Sequence, residues 1–205
     1  MRRIRRTAIS LAAFFAVIAV CTAACSPGGS PQTPPPAANP PPAESPSAQT
    51  PVERGAYLVS ILGCHDCHSP KIYGEKGPEP DPSRLLSGQP ADKPLPSTPA
   101  GLPDPNGWVA LTNSHFTAWL GPWGVSFASN LTPDATGLGG WTEENFIQTI
   151  RTGKHLGVGR PILPPMPWQD FAKMTDEDLR AVFAYLRTLP PVANVVPAPL
   201  PPAGT

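Results

Sequence analysis

Residues 63–70 read Gly-Cys-His-Asp-Cys-His-Ser-Pro, and they bring several reactive side chains together. Two thiols, Cys64 and Cys67, are separated by two residues, and an imidazole, His68, directly follows the second thiol. This pattern fits a redox-active dithiol, a metal site or a covalent attachment site for haem. Chance occurrence of the motif on a surface loop is a further interpretation.

The surrounding sequence discriminates between these interpretations. A thioredoxin-like dithiol accompanies βαβ units, which this sequence does not predict. A structural zinc site needs four ligands, and the segment offers Cys64, Cys67 and either His65 or His68, with no second cysteine pair nearby. Haem attachment uses every residue, because two thiols can add to the two vinyl groups of one porphyrin while His68 ligates the iron. The motif therefore predicts one covalent haem c with its iron.

The second axial position of the iron needs another ligand, for which methionine and histidine are the usual choices. His65 lies inside the attachment loop and cannot reach the opposite side of the ring. Met166 lies between prolines in a stiff loop with no evident packing role, so it is the favoured ligand. Met174 precedes a helix cap, where it can pack against the helix entry. Met174, His115 and His155 remain the alternatives.

The elements that must position these residues form a mainly α-helical domain with long loops. Apolar residues at helical spacing, bounded by capping or terminating residues, predict three helices. These helices cover residues 52–63, 143–152 after the N-cap Thr142, and 176–189 after the N-cap Thr175. Three short helices bury little apolar area, so the cofactor is expected to fill the centre of the domain.

The segments between the helices are rich in proline and glycine. Residues 69–107 predict a long irregular loop with one turn at 82–86. Apolar and polar residues alternate on both sides of Gly121-Pro-Trp-Gly124, which predicts a small hairpin within residues 115–128.

The N-terminal region predicts export and anchoring. Four arginines precede an apolar run from Ala8 to Val20, which indicates a signal peptide over residues 1–24. Small residues before Cys25 resemble a lipoprotein cleavage site, which predicts lipidation of Cys25 and a place on the periplasmic side of a bacterial membrane. Ordinary cleavage and a soluble periplasmic protein are the alternative. Residues 25–51 are rich in proline and predict a semi-rigid tether, with a reach of roughly 80 Å at about 3.1 Å per residue.

Composition bounds the domain and its partners. One domain is predicted over residues 52–192, followed by a proline-rich tail over 193–205. The whole chain has a formal net charge of zero, but removal of the leader leaves 11 basic against 15 acidic side chains, a net charge of −4. This charge gives no indication of a nucleic-acid partner.

Three stretches of the domain carry a resemblance to a known family. They are Arg-Gly-Ala-Tyr-Leu at 54–58, Ser-Asn-Leu-Thr-Pro-Asp at 129–134, and Met-Pro-Trp at 166–168, which is followed by 174–178 and 184–186. Together with the order of the helices and the haem motif, they resemble class I monohaem cytochromes c, and especially the cytochrome c domains that serve periplasmic alcohol and aldehyde dehydrogenases. The resemblance covers most of residues 52–192. An insertion at about 78–123 departs from it.

The resemblance implies roles for individual residues. Cys64 and Cys67 correspond to the haem cysteines, and His68 and Met166 to the axial ligands. It also implies that the first and last helices cross, with Gly55 close to Tyr185.

Buried haem propionates need hydrogen-bond donors. Trp168, Asn130 and Arg151 are the candidates for this role. Their alternative roles are packing for Trp168, loop capping for Asn130 and a solvated helix charge for Arg151.

These inferences together predict an electron carrier rather than an enzyme. An iron with both axial positions filled by protein exchanges single electrons without binding a substrate. The expected partners are redox proteins, either a periplasmic dehydrogenase or a terminal oxidase or reductase. The alternative is a peroxidase-like haem enzyme whose sixth position is open or displaceable.

Overall fold

The computed structural model describes residues 49–104 and 106–202. The predicted signal peptide 1–24, the predicted lipidation site Cys25 and all but the last three residues of the predicted tether lie outside the described residues. Within the described ranges, no helix combines the length and the hydropathy needed to span a membrane.

The described residues form a mainly helical fold, as the sequence predicts, together with two small sheets. The helices are α1 (Pro51–Ile61), α2 (Cys64–His68), α3 (Glu143–Thr152), α4 (Trp168–Phe171) and α5 (Asp176–Leu186), and a 3-10 turn covers His155–Gly157. The strands are β1 (Lys71–Gly74), β2 (Gly77–Pro80), β3 (Leu111–Thr112), β4 (Ala118–Gly121) and β5 (Gly124–Phe127). β1 and β2 form one antiparallel sheet, and β3, β4 and β5 form another in sequence order.

The three longer helices begin and end through local hydrogen bonds that the sequence encodes. Thr50 and Glu53 form a capping box at the start of α1, and Thr142 caps α3 in the same way. Gly153 ends α3 with a left-handed φ of 65°. Thr175 caps α5 by accepting a hydrogen bond from the Asp178 backbone N–H.

α5 ends three residues earlier than predicted. The backbone N–H groups of Thr188 and Leu189 bond to carbonyls only three residues back, so the chain tightens into turns after Leu186. Pro190 explains the early end, because proline disfavours helical backbone at the residue that precedes it.

Helices α1 and α5 cross and pack closely against each other. Gly55 lies against α5, where a Cβ atom would overlap the Ala181 carbonyl and would come within 2.8 Å of Tyr185 Cβ. The expectation that Gly55 permits a close approach to Tyr185 is confirmed. Arg54 Nε also donates to Asp178 Oδ1 across the crossing at 2.9 Å. The main apolar core surrounds this contact and is formed by Leu58, Val59, Leu86, Leu138, Phe146, Ile147, Ile150, Leu179, Ala181, Val182, Phe183 and Leu186.

The loops contain more regular structure than predicted. The expected hairpin is β4–β5, in which Gly121 pairs with Gly124 around the turn at Pro122 and Trp123. The expectation of an irregular loop over residues 69–107 is wrong for its first part, which forms the β1–β2 hairpin. The sequence did not predict this hairpin because β2 contains Pro78 and Pro80, and proline argues against a strand except at the edge of a sheet.

The described part of the predicted tail, up to residue 202, packs on the domain. Asn194 is buried, and its amide nitrogen donates to the carbonyls of Ser87 and Gln89 at 2.7 and 2.9 Å. Farther along, Leu200 and Val125 exchange two backbone hydrogen bonds of 2.9 Å each. The tail thus extends the β3–β4–β5 sheet by one bridge. An extended proline-rich segment can pair at a sheet edge in this way, and the predicted domain boundary at 192 stays a prediction.

Candidate functional site

A cavity of about 830 Å³ lies beside the helical core. Its wall is mostly apolar and is built from α2, α3, α5, the β4–β5 hairpin, the loop before α4 and the C-terminal segment. Wall residues of interest are Cys64, Cys67, His68, Trp119, Ser126, Phe127, Asn130, Trp141, His155, Arg160, Met166, Met174 and Val195. An apolar cavity of this volume is in the range that holds a small organic cofactor.

The two thiols lie on the cavity wall because the chain turns sharply at Gly63 before α2 begins. Gly63 precedes it with a left-handed φ of 67°, a conformation that glycine adopts without strain. Cys64 and Cys67 are free thiols on the cavity wall. Burial raises the pKa of Cys64 to about 11 and also raises the pKa of Cys67. A redox dithiol needs a lowered thiol pKa, so this environment argues against that alternative.

His68 presents one ring nitrogen to the protein. Its Nδ1 lies 2.8 Å from the carbonyl oxygen of Ser129, and because a carbonyl can only accept, Nδ1 must donate. The other nitrogen, Nε2, therefore keeps its lone pair. Burial lowers the pKa of His68, which favours the same neutral form. A neutral imidazole oriented by a carbonyl is the arrangement that metal-ligating histidines adopt.

Lys71, a buried lysine that sequence reasoning missed, supports the C-terminal end of α2 through hydrogen bonds. Lys71 Nζ donates to the carbonyls of His65 and Ser69 at 2.5 and 2.8 Å, and only 6% of Lys71 is exposed. These bonds satisfy carbonyls at the C-terminal end of the helix, where positive charge is favourable. His65 is hydrogen-bonded elsewhere, with its Nδ1 lying 2.9 Å from Ser69 Oγ. A lysine three residues after the motif is the only sequence signal for this support.

Both candidate methionines lie on the cavity wall. Met166 and Met174 are half-buried, and both pack against the apolar core. Met174 directly precedes the cap of α5 and its backbone N–H donates to Phe171. Leu179, four residues after the cap Thr175, also packs in this core, as expected for a hydrophobic staple. The assignment of Met166 as iron ligand therefore stays a prediction.

The two alternative histidines have different surroundings. His115 donates from Nδ1 to the Lys71 carbonyl at 3.0 Å and lies outside the cavity wall. His155 lies on the wall, with its ring edge-on to Trp141 at a centroid separation of 5.2 Å. Burial lowers the pKa of His155, and the charge of Arg160 lowers it further.

The residues predicted to meet the propionates have other partners. Asn130 is on the wall, but its amide nitrogen donates to Thr136 Oγ1 and to the Val192 carbonyl at 3.1 and 2.8 Å. Trp168 lies outside the wall and packs on Gly153, where a Cβ would collide with the indole ring. Arg151 binds Asp176 and the Ala172 carbonyl. The alternative roles of loop capping for Asn130 and packing for Trp168 agree with these contacts, whereas Arg151 is engaged rather than solvated.

Arg160 was not predicted as a site residue, yet it lies on the wall. Among the described residues, it is the one wall side chain that carries a permanent positive charge. Its position beyond the end of α3 gave no sequence signal, because a lone arginine in a loop is usually a solvated charge.

The residues present fit a haem. An apolar cavity of sufficient volume brings together two thiols, a neutral histidine with a free Nε2 lone pair, a methionine and a cation suited to carboxylates. This set of donors matches what a covalently attached and axially ligated porphyrin requires.

Comparison with known proteins gives the same result. The sequence model of the cytochrome c family matches residues 52–190. The cytochrome c subunit of the quinone-dependent alcohol dehydrogenase of Gluconacetobacter polyoxogenes is 38% identical over 155 residues, which are 72% of this chain and 25% of that protein. The gluconate 2-dehydrogenase cytochrome c subunit of Pantoea cypripedii is 29% identical over 145 residues, which are 70% of this chain and 24% of that protein.

A shorter match is found with the cytochrome subunit of the fructose dehydrogenase of Gluconobacter japonicus. It is 35% identical over 68 residues, which are 33% of this chain and 14% of that protein. The chain thus spans a quarter or less of the length of these relatives.

Proposed function

The chain belongs to the cytochrome c family, whose cofactor is covalent haem c with its iron, and from this premise we propose that it is a single-electron carrier tethered at the periplasmic side of a bacterial membrane. The observation that carries the proposal is the cavity onto which Cys64, Cys67, His68 and Met166 all open. When bound, the haem iron supplies reversible one-electron chemistry. The protein supplies attachment, ligands and a dry surrounding.

The chain's own residues divide these tasks. Cys64 and Cys67 form the thioether attachments from α2. His68 gives Nε2 to the iron, while the Ser129 carbonyl holds the ring in place through Nδ1. This outer bond prevents rotation of the imidazole and increases its basicity, which stabilises the oxidised iron.

Met166 is the proposed second axial ligand. Pro161, Pro164, Pro165 and Pro167 restrict the backbone around it, so little conformational entropy is lost when its thioether binds. Met174 is the less favoured ligand, because it packs against the core at the start of α5 and so has a structural role there. A soft thioether favours reduced iron and therefore gives the carrier a raised potential.

Arg160 and His155 are proposed to face the haem propionates. Both lie on the wall, and propionates are carboxylates that need donors and positive charge when they are partly buried. Asn130 and Trp168 are two of the three residues that the sequence suggested for this role. Asn130 would have to exchange its present hydrogen-bond partners, and Trp168 would have to change its position.

The names of the relatives support a proposal for the redox partners. Their printed names describe cytochrome subunits of alcohol, gluconate and fructose dehydrogenases. We infer that a periplasmic dehydrogenase is the electron donor of this chain and that a terminal oxidase or reductase is the acceptor. A tether of roughly 80 Å would let the domain move between such partners near the membrane.

A redox titration and a ligand-binding measurement on the haem-loaded protein test this function. We expect a reversible one-electron titration, a sulfur–iron charge-transfer band in the oxidised form, and cyanide binding that is slow because Met166 must first leave the iron. Rapid cyanide binding together with turnover of hydrogen peroxide would instead favour the peroxidase-like alternative.

Replacement of Cys25 by serine is expected to release the protein from the membrane fraction. Cys25 is the predicted site of lipidation, and stable membrane attachment depends on the acyl chains. Cell fractionation followed by haem staining measures the effect. A Cys21→Ser variant is the control, since Cys21 lies in the predicted leader, and it should stay with the membrane. Equal membrane association of the wild type and the Cys25→Ser variant would contradict the anchor.

A further inference from the structure

The loop that carries Met166 has few hydrogen bonds of its own. Prolines occupy four of the seven positions from 161 to 167, and each lacks the backbone N–H that could hold the loop together. At the start of the loop, the Ile162 N–H donates to the Gly153 carbonyl at 2.7 Å. After Met166, the Pro167 carbonyl accepts from the backbone N–H groups of Asp170 and Phe171 at the start of α4. Before Met166, a side chain from another element makes a contact: Ser126 Oγ donates to the Pro164 carbonyl at 2.5 Å.

Ser126 is suited to hold this carbonyl. It lies on β5 with only 7% of its surface exposed, so its hydrogen bond competes little with water. Its hydroxyl also lies 3.4 Å from the Trp119 carbonyl, but the single hydrogen favours the much shorter contact with Pro164. Trp123 Nε1 donates to the same hydroxyl oxygen at 3.3 Å, which polarises it as a donor.

The hairpin that presents Ser126 is itself fixed. β5 pairs with β4 on one side and with Leu200 of the C-terminal segment through the Val125 bridge on the other. Asn194 ties the same segment to the carbonyls of Ser87 and Gln89. The hydroxyl therefore comes from a rigid support, which a single hydrogen bond needs if it is to hold a loop in place.

We propose that Ser126 is a positioning residue for Met166, and that its hydrogen bond to the Pro164 carbonyl keeps the loop closed against small ligands that compete for the iron. This proposal rests on the assignment of Met166 in the proposed function and adds the means by which the chain holds that ligand. The β4–β5 hairpin begins within the predicted insertion at about 78–123, so the proposal gives this insertion a function at the cofactor site.

Substitution of Ser126 by alanine tests the proposal. Imidazole or cyanide binding to the oxidised, haem-loaded protein is followed by stopped-flow spectroscopy, together with the sulfur–iron band. We expect binding to accelerate about tenfold, the effect of losing one hydrogen bond from a buried hydroxyl. Ser126→Thr keeps the hydroxyl and should restore most of the slow rate.

Ser87→Ala is the matched control. Ser87 is 1% exposed, and its hydroxyl donates to the Arg84 carbonyl at 2.9 Å, so the same chemical group is removed from a site that does not touch the Met166 loop. Its binding rate should stay within about twofold of the wild type. Trp123→Phe, which removes the donor to Ser126 and keeps a ring in the turn, should accelerate binding two- to threefold and serves if Ser126→Ala does not fold.

Two results would overturn the proposal and leave the proposed function intact. One is a Ser126→Ala protein that binds ligand as slowly as the wild type. The other is equal acceleration by Ser126→Ala and Ser87→Ala, because this would reflect a general loss of stability. A wild type that binds ligand as fast as a Met166→Ala variant is a different result, and it would overturn the ligand assignment itself.

Discussion

Replacement of both Cys64 and Cys67 by alanine is expected to abolish cooperative folding when no haem is supplied. The cavity of about 830 Å³ is then empty of its cofactor. Without it, core side chains on the mostly apolar wall, such as Leu179, Val182 and Leu186, would lose their packing partners and face water, and the stability of a typical domain is small compared with such a loss. We therefore expect the apoprotein to collapse into another arrangement or to unfold.

Thermal melts followed by circular dichroism measure this effect. The single variants Cys64→Ala and Cys67→Ala are the controls, since each keeps one thiol for attachment and should retain a cooperative melt at a lower temperature. Extraction of denatured protein with acidic acetone separates covalent from non-covalent haem. A cooperative, wild-type-like melt of the haem-free double variant would contradict this prediction, and loss of haem from the denatured wild type would contradict the attachment.

Local sequence signals predicted the three longer helices and the cofactor motif. Thr142 and Thr175 cap helices because a threonine side chain can accept from a nearby backbone N–H wherever the rest of the chain lies. The spacing of Cys64, Cys67 and His68 is equally local, since all three belong to one short helix. The close packing at Gly55 involves a contact with α5, which the local sequence does not show. The resemblance to the cytochrome c family predicted this contact.

The parts that sequence reasoning missed are those formed by distant segments. Asn130 looked free to bind a propionate, but Thr136 and the Val192 carbonyl use both of its amide hydrogens. Val192 is more than sixty positions away along the chain, so no local pattern shows this contact. Lys71, Arg160 and Ser126 were missed for the same reason, because the contacts of Lys71 and Ser126 and the wall position of Arg160 depend on the tertiary fold. Proline-rich composition predicted a tail over residues 193–205, and it gave no sign that residues 195–199 of this tail form part of the cavity wall.

Substitution of Met166 by histidine is expected to lower the reduction potential by roughly 0.1–0.3 V, within the span of about 0.8 V that axial ligands cover. An imidazole is a stronger donor than a thioether and stabilises oxidised iron, while the iron keeps six ligands. Potentiometric titration measures the change. The sulfur–iron band of the oxidised protein should disappear in the same variant.

Met166→Ala is expected to act differently, because it removes the ligand without a replacement. The sixth position should then admit cyanide rapidly, and weak peroxidase activity should appear. Loss of the thioether also removes the preference for reduced iron, so the potential should fall here too. Stopped-flow cyanide binding and a peroxide assay distinguish this variant from Met166→His.

Met174→Ala is the decisive control, because Met174 lies on the same cavity wall as Met166. If Met174 only packs against the entry of α5, its loss should cost about 1–2 kcal/mol of stability and leave the sulfur–iron band and the potential nearly unchanged. The opposite pattern, in which Met174→Ala loses the band and Met166→Ala retains it, would transfer the ligand role to Met174. The Ser126 proposal would then fail with it, since the hydroxyl would hold a loop that does not ligate iron. Loss of the band in the Met166 variants alone would show that the proline-rich loop, and not the helix entry, delivers sulfur to the iron.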